Sequence, residues 1–214
     1  MNIINSILTL GIIMESAFER TARLLLLEPK KHWTGLELSQ RTGYSRAMTS
    51  RLLKHLQRDV VIAKPYKNSF VLVEPIRLLM LWSCKRRLPP PVYVKAKKSD
   101  EDLDDIIAKA EGAAITLFSA AWLRTQYMKT TSYELYVEPN RINQLVRRIG
   151  RISKSPERIS IYPANDISVF LGSERIRDIP VVSLPQNFVD LMSVGGSGPR
   201  VALQMGNATG LLGV

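Results

Sequence analysis

Apolar side chains recur every three or four residues in three segments before residue 88, and this spacing places them on one face of an α-helix. The segments are Glu15 to Glu28, Ser45 to Gln57 and Glu74 to Arg87. A shorter helix is predicted to begin at Thr34, because Thr34 and Glu37 have the spacing of a capping box. The pattern therefore predicts four helices between Glu15 and Arg87.

A tight turn and a β-hairpin are predicted on either side of the helix that begins at Ser45. Gly43 suits the left-handed conformation that ends a helix, and Ser45 is a suitable cap for the helix that follows. Strand-favouring residues then occupy Val61 to Lys64 and Ser69 to Val73, and the turn-forming Pro65 to Asn68 lie between them. This order of elements predicts a winged helix-turn-helix domain.

The predicted helix from Ser45 has an apolar stripe and a basic, polar opposite face. Met48, Leu52, Leu53 and Leu56 form the stripe. The opposite face is typical of a recognition helix with base contacts near its N-terminus and phosphate contacts further along. An ordinary amphipathic helix with solvated charges is the alternative, but the ordered series of caps, glycine turn, basic helix and strands favours DNA binding. The predicted DNA-binding residues are Ser45, Arg46, Ala47, Thr49, Ser50, Arg51, Lys54 and Arg58 on the helix and Lys64, Lys67 and Asn68 in the wing.

Positive charge is concentrated in the same part of the chain. The 214 residues carry a formal net charge of +11, with 45% hydrophobic and 23% charged residues, as in globular proteins. Residues 1 to 98 contain 18 Lys+Arg and 6 Asp+Glu, a net charge of +12, whereas the remaining residues contain 12 and 13, a net charge of −1. This asymmetry indicates attraction of the first part to the phosphate backbone of a nucleic acid.

Two features bear on the cellular location. Cys84 is the only cysteine, which excludes an intramolecular disulfide and a cysteine-rich zinc site. The apolar run Ile3 to Met14 is too short to span a bilayer and has no basic leader, so neither a signal peptide nor a membrane span is predicted. It is instead predicted to form a helix that packs on the winged domain or on a second copy of it. A cytoplasmic protein without a membrane contact is expected.

Three consecutive prolines, Pro89 to Pro91, predict a stiff connector, since they fit neither a helix nor a central strand. The predicted organisation is a winged domain at residues 1–88, a linker at 89–98 that includes the strand-like run Val92 to Ala96, and a mixed α/β domain at 99–214. The overall fold class is then α+β. Predicted strands beyond the linker are Tyr133 to Val137, Ile159 to Tyr162, Ile167 to Phe170 and Pro180 to Val182, and predicted helices are Asp100 to Glu111, Ala113 to Arg124, Asn140 to Ile152, Pro185 to Ser193 and one from Pro199.

Several blocks resemble known families. Thr34 to Ser39 (TGLELS) and Tyr44 to Leu56 (YSRAMTSRLLKHL) resemble the winged helix-turn-helix regulators. The chain also looks like the AbiEi-type antitoxins of type IV toxin-antitoxin pairs, through Ile115 to Leu123 (ITLFSAAWL), Tyr133 to Val137 (YELYV), and Ile179 to Met192 (IPVVSLPQNFVDLM) followed by Gly195 to Arg200 (GGSGPR). This resemblance implies a winged helix that binds operator repeats and represses its own operon. It also implies a second domain, related in fold to nucleotidyltransferases, that opposes a toxin partner.

Catalysis is not predicted. A nucleotidyltransferase needs a Gly-Ser turn for phosphates and two carboxylates two residues apart on a strand for a divalent metal. The run Leu117-Phe118-Ser119 lacks the glycine, and Glu134 is followed by Tyr136 where the second carboxylate belongs. We therefore expect no metal, no cofactor and no enzymatic activity. A nucleotidyltransferase-like enzyme with degenerate motifs and a regulator that senses a small ligand remain as alternatives.

A second basic patch is predicted on the helix from Asn140. These charges could form an ordinary solvated face, or they could form a supplementary surface for nucleic acid or a partner protein. Because repressors of this kind read two half-sites, we expect a homodimer or two copies on an inverted repeat in double-stranded DNA. The patch comprises Arg141, Arg147, Arg148 and Arg151.

Overall fold

The computed structural model describes residues 17–213, which fall into two units, the first ending at Arg86 and the second beginning at Arg87. Both units combine helices with a β-sheet, so the α+β class is confirmed, with nine α-helices and two sheets over the described residues. The run Ile3 to Met14, predicted to be a packing helix, lies outside the described residues. No helix in the described part of the chain is long and apolar enough to cross a membrane.

The predicted linker at 89–98 and the domain boundary at 99 are wrong. The strand predicted at Val92–Ala96 is confirmed, but it belongs to the sheet of the second unit, and regular structure is absent only at residues 86–91 and 97–99 of this region. The helix before the prolines ends at Lys85, two residues before its predicted end at Arg87. The residues after the prolines pair with strands that are distant in sequence. Local signals such as a run of prolines do not reveal such pairing.

The first unit consists of four helices and a two-stranded antiparallel sheet. Its core contains the fully buried Trp33 and Trp82, and the apolar residues Phe18, Ala22, Leu25 and Leu26 of the first helix are all buried. In chain order the elements are helix α1 (residues 17–27), α2 (Gly35–Thr42), α3 (Arg46–Arg58), strands β1 (Ile62–Tyr66) and β2 (Ser69–Leu72), and helix α4 (Pro75–Lys85).

The connection between α2 and α3 follows the chemistry expected from the sequence. The Thr34 hydroxyl accepts the Glu37 N–H at 3.1 Å, while the Glu37 carboxylate pairs with Lys31 Nζ at 2.8 Å. Gly43 has a φ of 75° and its N–H donates to the carbonyl of Ser39. The Ser45 hydroxyl then accepts the Met48 N–H at 3.2 Å and caps α3. Local hydrogen bonds therefore end α2 at Gly43 and start α3 after Ser45.

The second unit is built on a seven-stranded mixed sheet with the strand order β6-β3-β7-β5-β4-β9-β8. Its apolar residues form a core of Val94, Leu103, Leu135, Ile161 and their neighbours on one face and a smaller cluster around Tyr136 on the other. The strands are β3 (Val92–Ala96), β4 (Ala113–Ile115), β5 (Tyr133–Val137), β6 (Gly150–Ser153), β7 (Ile159–Pro163), β8 (Glu174–Ile176) and β9 (Ile179–Val181). The helices are α5 (Asp100–Ala108), α6 (Leu117–Thr125), α7 (Ile142–Ile149), α8 (Leu184–Ser193) and α9 (Gly198–Ala208), with short 3-10 helices at Pro139–Arg141 and Ile167–Phe170.

Three predicted elements of the second unit differ in the structure. The helix predicted over 113–124 divides into β4 and α6, because the apolar run at 113–115 pairs with β5 and β9. The strand predicted at 167–170 is a 3-10 helix, which the Asp166 carboxylate caps by accepting the Ser168 N–H. The helix predicted over 140–152 stops at Ile149, where Gly150 begins β6. Strand β8 was not predicted at all.

Candidate nucleic-acid interface

Helix α3 has one face buried in the first unit and one face exposed. Leu52, Leu53 and Leu56 are buried, and Met48 is half-buried at the edge of the stripe. Thr49 is also buried, with 3% of its surface exposed, so its assignment as a DNA contact is wrong. The Thr49 side chain is turned by about 100° from that of Met48 and points into the core of the first unit. The other predicted DNA-binding residues of this helix face outward.

The exposed face of α3 is basic. It is formed by Arg46, Ala47, Ser50, Arg51, Lys54 and Arg58. Arg58 lies near an acid, with its Nε 3.6 Å from an oxygen of Asp59. Ser45 is exposed, but its oxygen serves as the helix cap, so only its hydroxyl hydrogen is free for an outside acceptor.

The β1–β2 hairpin lies next to α3 and is anchored at its base. Trp33 and Phe70 exchange backbone hydrogen bonds of 2.7 and 2.8 Å, which ties β2 to the segment before α2. Asn68 has a φ of 68°, a conformation that asparagine tolerates at a hairpin tip. Lys64, Lys67 and Asn68 are all exposed as predicted, and the turn is shorter than expected because β1 extends through Tyr66.

A groove of about 590 Å³ runs between α3 and the hairpin. It brings together Arg46, Ser50 and Lys54 from the helix with Lys64 and Asn68 from the hairpin. Arg51, Arg58 and Lys67 do not line the groove, although they are exposed on the same elements. The groove is thus a concave surface with cations on both walls.

The predicted DNA-binding residues did not include one polar residue of the groove and two exposed aromatic residues on or beside the hairpin. Gln57 lines the groove on the α3 side. Tyr66 is 70% exposed in β1, and His32 lies beside it with ring centroids 6.1 Å apart. The His32 Nδ1 is 3.1 Å from the Ser69 hydroxyl. No local signal places His32 against the hairpin, because this contact arises only when the Trp33 segment pairs with β2.

The predicted second basic patch is not one arginine-bearing helix. Arg141, in the 3-10 turn, forms ion pairs with Glu111 at 2.9 Å and with Glu138 at 3.2 Å, and hydrogen bonds to both carboxylates raise the pKa of its guanidinium. Arg147 and Arg148 are exposed on α7, and Arg151 is exposed on β6. The patch therefore divides between a helix and an edge strand.

The second unit also contains a buried polar cluster at the start of α6. The Ser119 hydroxyl and N–H both donate to Glu134 Oε2, at 2.5 and 3.0 Å, and burial raises the pKa of the Glu134 carboxyl. Thr116 donates to the buried Asp190 at 2.8 Å. Leu117, between strand β4 and helix α6, has a φ of 51°, which is unusual for a residue with a side chain. Within residues 17–213, no group of three or more metal-binding side chains occurs.

No family model matches the chain, and neither a curated protein nor a solved structure matches it.

Proposed function

We propose that this protein is a sequence-specific regulator that binds double-stranded DNA through a winged helix-turn-helix in its first unit. The observation that carries the proposal is the groove between α3 and the hairpin, which has an exposed cationic wall on each side. Residues 1–86 contain 14 Lys+Arg and 6 Asp+Glu, a net charge of +8, which favours attraction to phosphates.

The proposed docking places α3 in the major groove, which is wide enough for one α-helix. Arg46 and Ser50 lie near the N-terminal end of α3, where recognition helices approach base edges. Lys54 and Arg58 lie towards the other end and would contact phosphates. The hairpin carries Lys64 and Lys67 towards the flanking backbone. One α3 helix covers one half-site, so an inverted repeat and two copies of the chain complete the proposed operator complex.

Arginine substitutions on α3 test the proposal. Genomic fragments enriched by the full-length protein provide a cognate duplex. Arg46→Ala and Arg51→Ala should each weaken binding to it by about 1–3 kcal/mol if the arginine reads a base, with a smaller loss on scrambled DNA. Fluorescence anisotropy at fixed salt measures both affinities. Arg77→Ala, which removes an exposed arginine from α4, is the charge-matched control.

The proposal fails if both α3 variants bind the cognate duplex as tightly as Arg77→Ala does. A uniform loss on all duplexes would indicate phosphate contacts without base reading, and would contradict sequence specificity at these two positions.

For the second unit we propose a degenerate nucleotidyltransferase-like arrangement that serves an antitoxin-like, autoregulating protein. The hydrogen bond between Ser119 on α6 and Glu134 on β5 supports this proposal. In the nucleotidyltransferase motif, Ser119 corresponds to the serine of the phosphate-binding turn and Glu134 to the first carboxylate of the metal-binding pair. Leu117 stands in a backbone conformation that favours glycine, next to the place where a phosphate-binding turn needs one. The expected partner is a toxin protein that is encoded by an adjacent gene and copurifies with this protein.

The enzymatic alternative makes a distinct prediction. An active nucleotidyltransferase would transfer label from nucleoside triphosphates to RNA in the presence of Mg²⁺, and Glu134→Ala would abolish the transfer. We expect no transfer, because Tyr136 occupies the place of the second carboxylate.

A ligand-sensing role is favoured by one feature of the second unit. A cleft of about 540 Å³ there is lined by the aromatic residues Trp122 and Tyr133 and the apolar Ile115 and Leu123, together with charged residues that include Asp104, Arg158 and Arg177. This volume is in the range of sites for small molecules. A thermal shift of the full-length protein with a metabolite library, together with a change in duplex affinity, would establish this role.

A further inference from the structure

Part of the positive charge that the sequence assigns to the first half belongs to the second unit. Arg87, Lys95, Lys97 and Lys98 all follow the unit boundary, so residues 87–214 contain 16 Lys+Arg and 13 Asp+Glu, a net charge of +3. Two segments account for this excess. Residues 87–98 and 142–158 together hold nine Lys+Arg and a single acid, Glu157. Strands β3 and β6, which come from these segments, are neighbours at one edge of the large sheet.

The register of the strands shows which of these side chains share a face. Lys95 on β3 is the cross-strand partner of Arg151 on β6. Tyr93 on β3 is the partner of both Ser153 on β6 and Ser160 on β7. Val94, between Tyr93 and Lys95, is buried in the core on the opposite face. Because side chains alternate along a strand, Tyr93, Lys95, Arg151, Ser153 and Ser160 form one surface, here called the β3 face.

The β3 face holds two like charges directly opposite each other. Lys95 and Arg151 are both exposed, and neither forms an ion pair with any residue between 17 and 213. Opposed like charges on adjacent strands are unfavourable, and an anion between them would remove the repulsion. Charged residues on edge strands also prevent unwanted strand pairing, but that explains only Arg151, since β3 lies inside the sheet.

Gly150 keeps these two strands close together. A Cβ atom at this position would lie 2.0 Å from the backbone oxygen of Lys95, so no larger residue fits there without moving a strand. Because Arg151 directly follows Gly150, the close approach of the two strands at Gly150 also fixes the position of Arg151 opposite Lys95. The pair of cations is therefore held by backbone geometry and does not depend on a flexible loop.

We propose that the β3 face binds single-stranded nucleic acid, with Lys95 and Arg151 on phosphates and the ring of Tyr93 stacked on a base. Aromatic rings beside cations on an open sheet are the usual means of binding unpaired bases, and the hydroxyls of Ser153 and Ser160 add hydrogen-bonding groups. This site is separate from the duplex-binding surface proposed for the first unit and does not rest on it.

The shape of the sheet favours a single strand over a duplex. The DNA major groove admits one helix or a two-stranded ribbon. Strand β3 is flanked by β6 on one side and β7 on the other, so Tyr93 and Lys95 cannot enter a groove. An unpaired base, in contrast, can lie flat on Tyr93, which is partly exposed. Two acids adjoin this face: Glu157, which accepts from the Ser153 hydroxyl, and the buried Glu134, which is the cross-strand partner of Ser160 and accepts from Ser119.

The test uses the full-length protein and fluorescently labelled 12-nucleotide strands of mixed sequence, as RNA and as DNA, with the matching duplex as a third probe. Anisotropy titrations at several salt concentrations give affinity and salt slope. The double variant Lys95→Ser/Arg151→Ser should bind single strands about 10-fold or more weakly, with a salt slope smaller by about 1.4 for two phosphate contacts. Tyr93→Leu should weaken binding about 10-fold with little change in slope.

The matched control is Lys129→Ser/Arg200→Ser, which removes two exposed cations of the second unit outside the β3 face. It should bind single strands like the unsubstituted protein. If Tyr93→Leu does not fold, a strand containing 5-bromouridine provides a second measurement, because irradiation should cross-link it to the peptide that contains β3.

Tighter binding of RNA than of DNA would show that the 2′-hydroxyl is also recognised. Equal binding of the two would show that only phosphate and base are recognised. Both results support the proposal. Equal single-strand affinity for the double variant and its control would overturn it. So would a loss confined to the duplex probe, which would make the face a duplex backbone contact.

Discussion

Adjacent side chains on α3 differ sharply in what they can contact. Thr49 is 3% exposed, whereas Ser50, the next residue, lines the groove beside the hairpin. Each step along a helix turns the side chain by about 100°, so a single residue separates core from surface. Residue type alone does not separate them, because both are small hydroxyl-bearing residues that often occur on recognition helices.

Substitution of the buried Glu134 should change how stability depends on pH. Burial raises the pKa of this carboxyl above 4.5 in the folded protein, so the folded state holds a proton more tightly than the unfolded state does. The free energy of unfolding should therefore rise as the pH falls from 7 towards 4.5. In Glu134→Gln this contribution is absent while an acceptor for Ser119 remains. Urea denaturation across this pH range should show a smaller rise for the variant, and an equal rise would contradict the assignment.

A methyl group at Gly150 should destabilise the second unit. The added Cβ would meet the backbone oxygen of Lys95, which cannot rotate away, and overpacking of this kind costs about 1–3 kcal/mol. Urea denaturation of Gly150→Ala measures the loss. In Gly35→Ala the new Cβ would have only the Leu53 side chain near it, at 3.7 Å, so that variant should unfold like the parent protein or slightly later.

Helix α3 depends on its capping residue as well as on its packing. Ser45 bonds the Met48 N–H, so Ser45→Ala should lower the free energy of unfolding of the first unit by about 1 kcal/mol. Ser45→Thr keeps the hydroxyl and should restore most of the loss. Thermal unfolding followed by circular dichroism measures both. A Thr variant as unstable as the Ala variant would show that the cap does not stabilise α3.

The hairpin is a second element whose position is decided outside its own sequence. The Trp33–Phe70 hydrogen bonds connect β2 to the segment before α2, and they hold the hairpin beside α3. The turn chemistry at Asn68 allows a hairpin, but only this pairing places Lys64 on the wall of the groove. The proposed wing is therefore a tertiary feature built from a local one.

Charge over the whole molecule leads to a prediction about salt. If Lys54, Arg58, Lys64 and Lys67 contact phosphates, the logarithm of the duplex association constant should fall with the logarithm of salt concentration by about 0.9 for each contact. Lys64→Ala and Lys67→Ala should each reduce the slope by about that amount and weaken cognate and scrambled duplexes equally. A greater loss on the cognate duplex would mean that the hairpin reads bases.

The division into units also determines which charges act together. A boundary placed at residue 98 assigns Lys95, Lys97 and Lys98 to the basic first half, whereas the fold places Lys95 in strand β3 of the second unit and the two other lysines directly after that strand. The charge asymmetry is therefore smaller than the sequence indicates, at +8 for residues 1–86 and +3 for residues 87–214. Two cationic surfaces result, one on each unit.

Elements that depend on short-range interactions could be predicted from the amino-acid sequence alone. The caps at Thr34 and Ser45, the turn at Gly43 and the apolar stripe of α3 depend on residues within a few positions of each other and occur where they were predicted. The hairpin also forms, with β1 extending through Tyr66 into the predicted turn. Features that depend on pairing between distant segments became evident only in the three-dimensional structure. Strand β4, the end of α7 at Gly150 and the opposition of Lys95 and Arg151 exist because strands far apart in sequence share hydrogen bonds. A short apolar run fits a helix and a strand equally well until its partners are known.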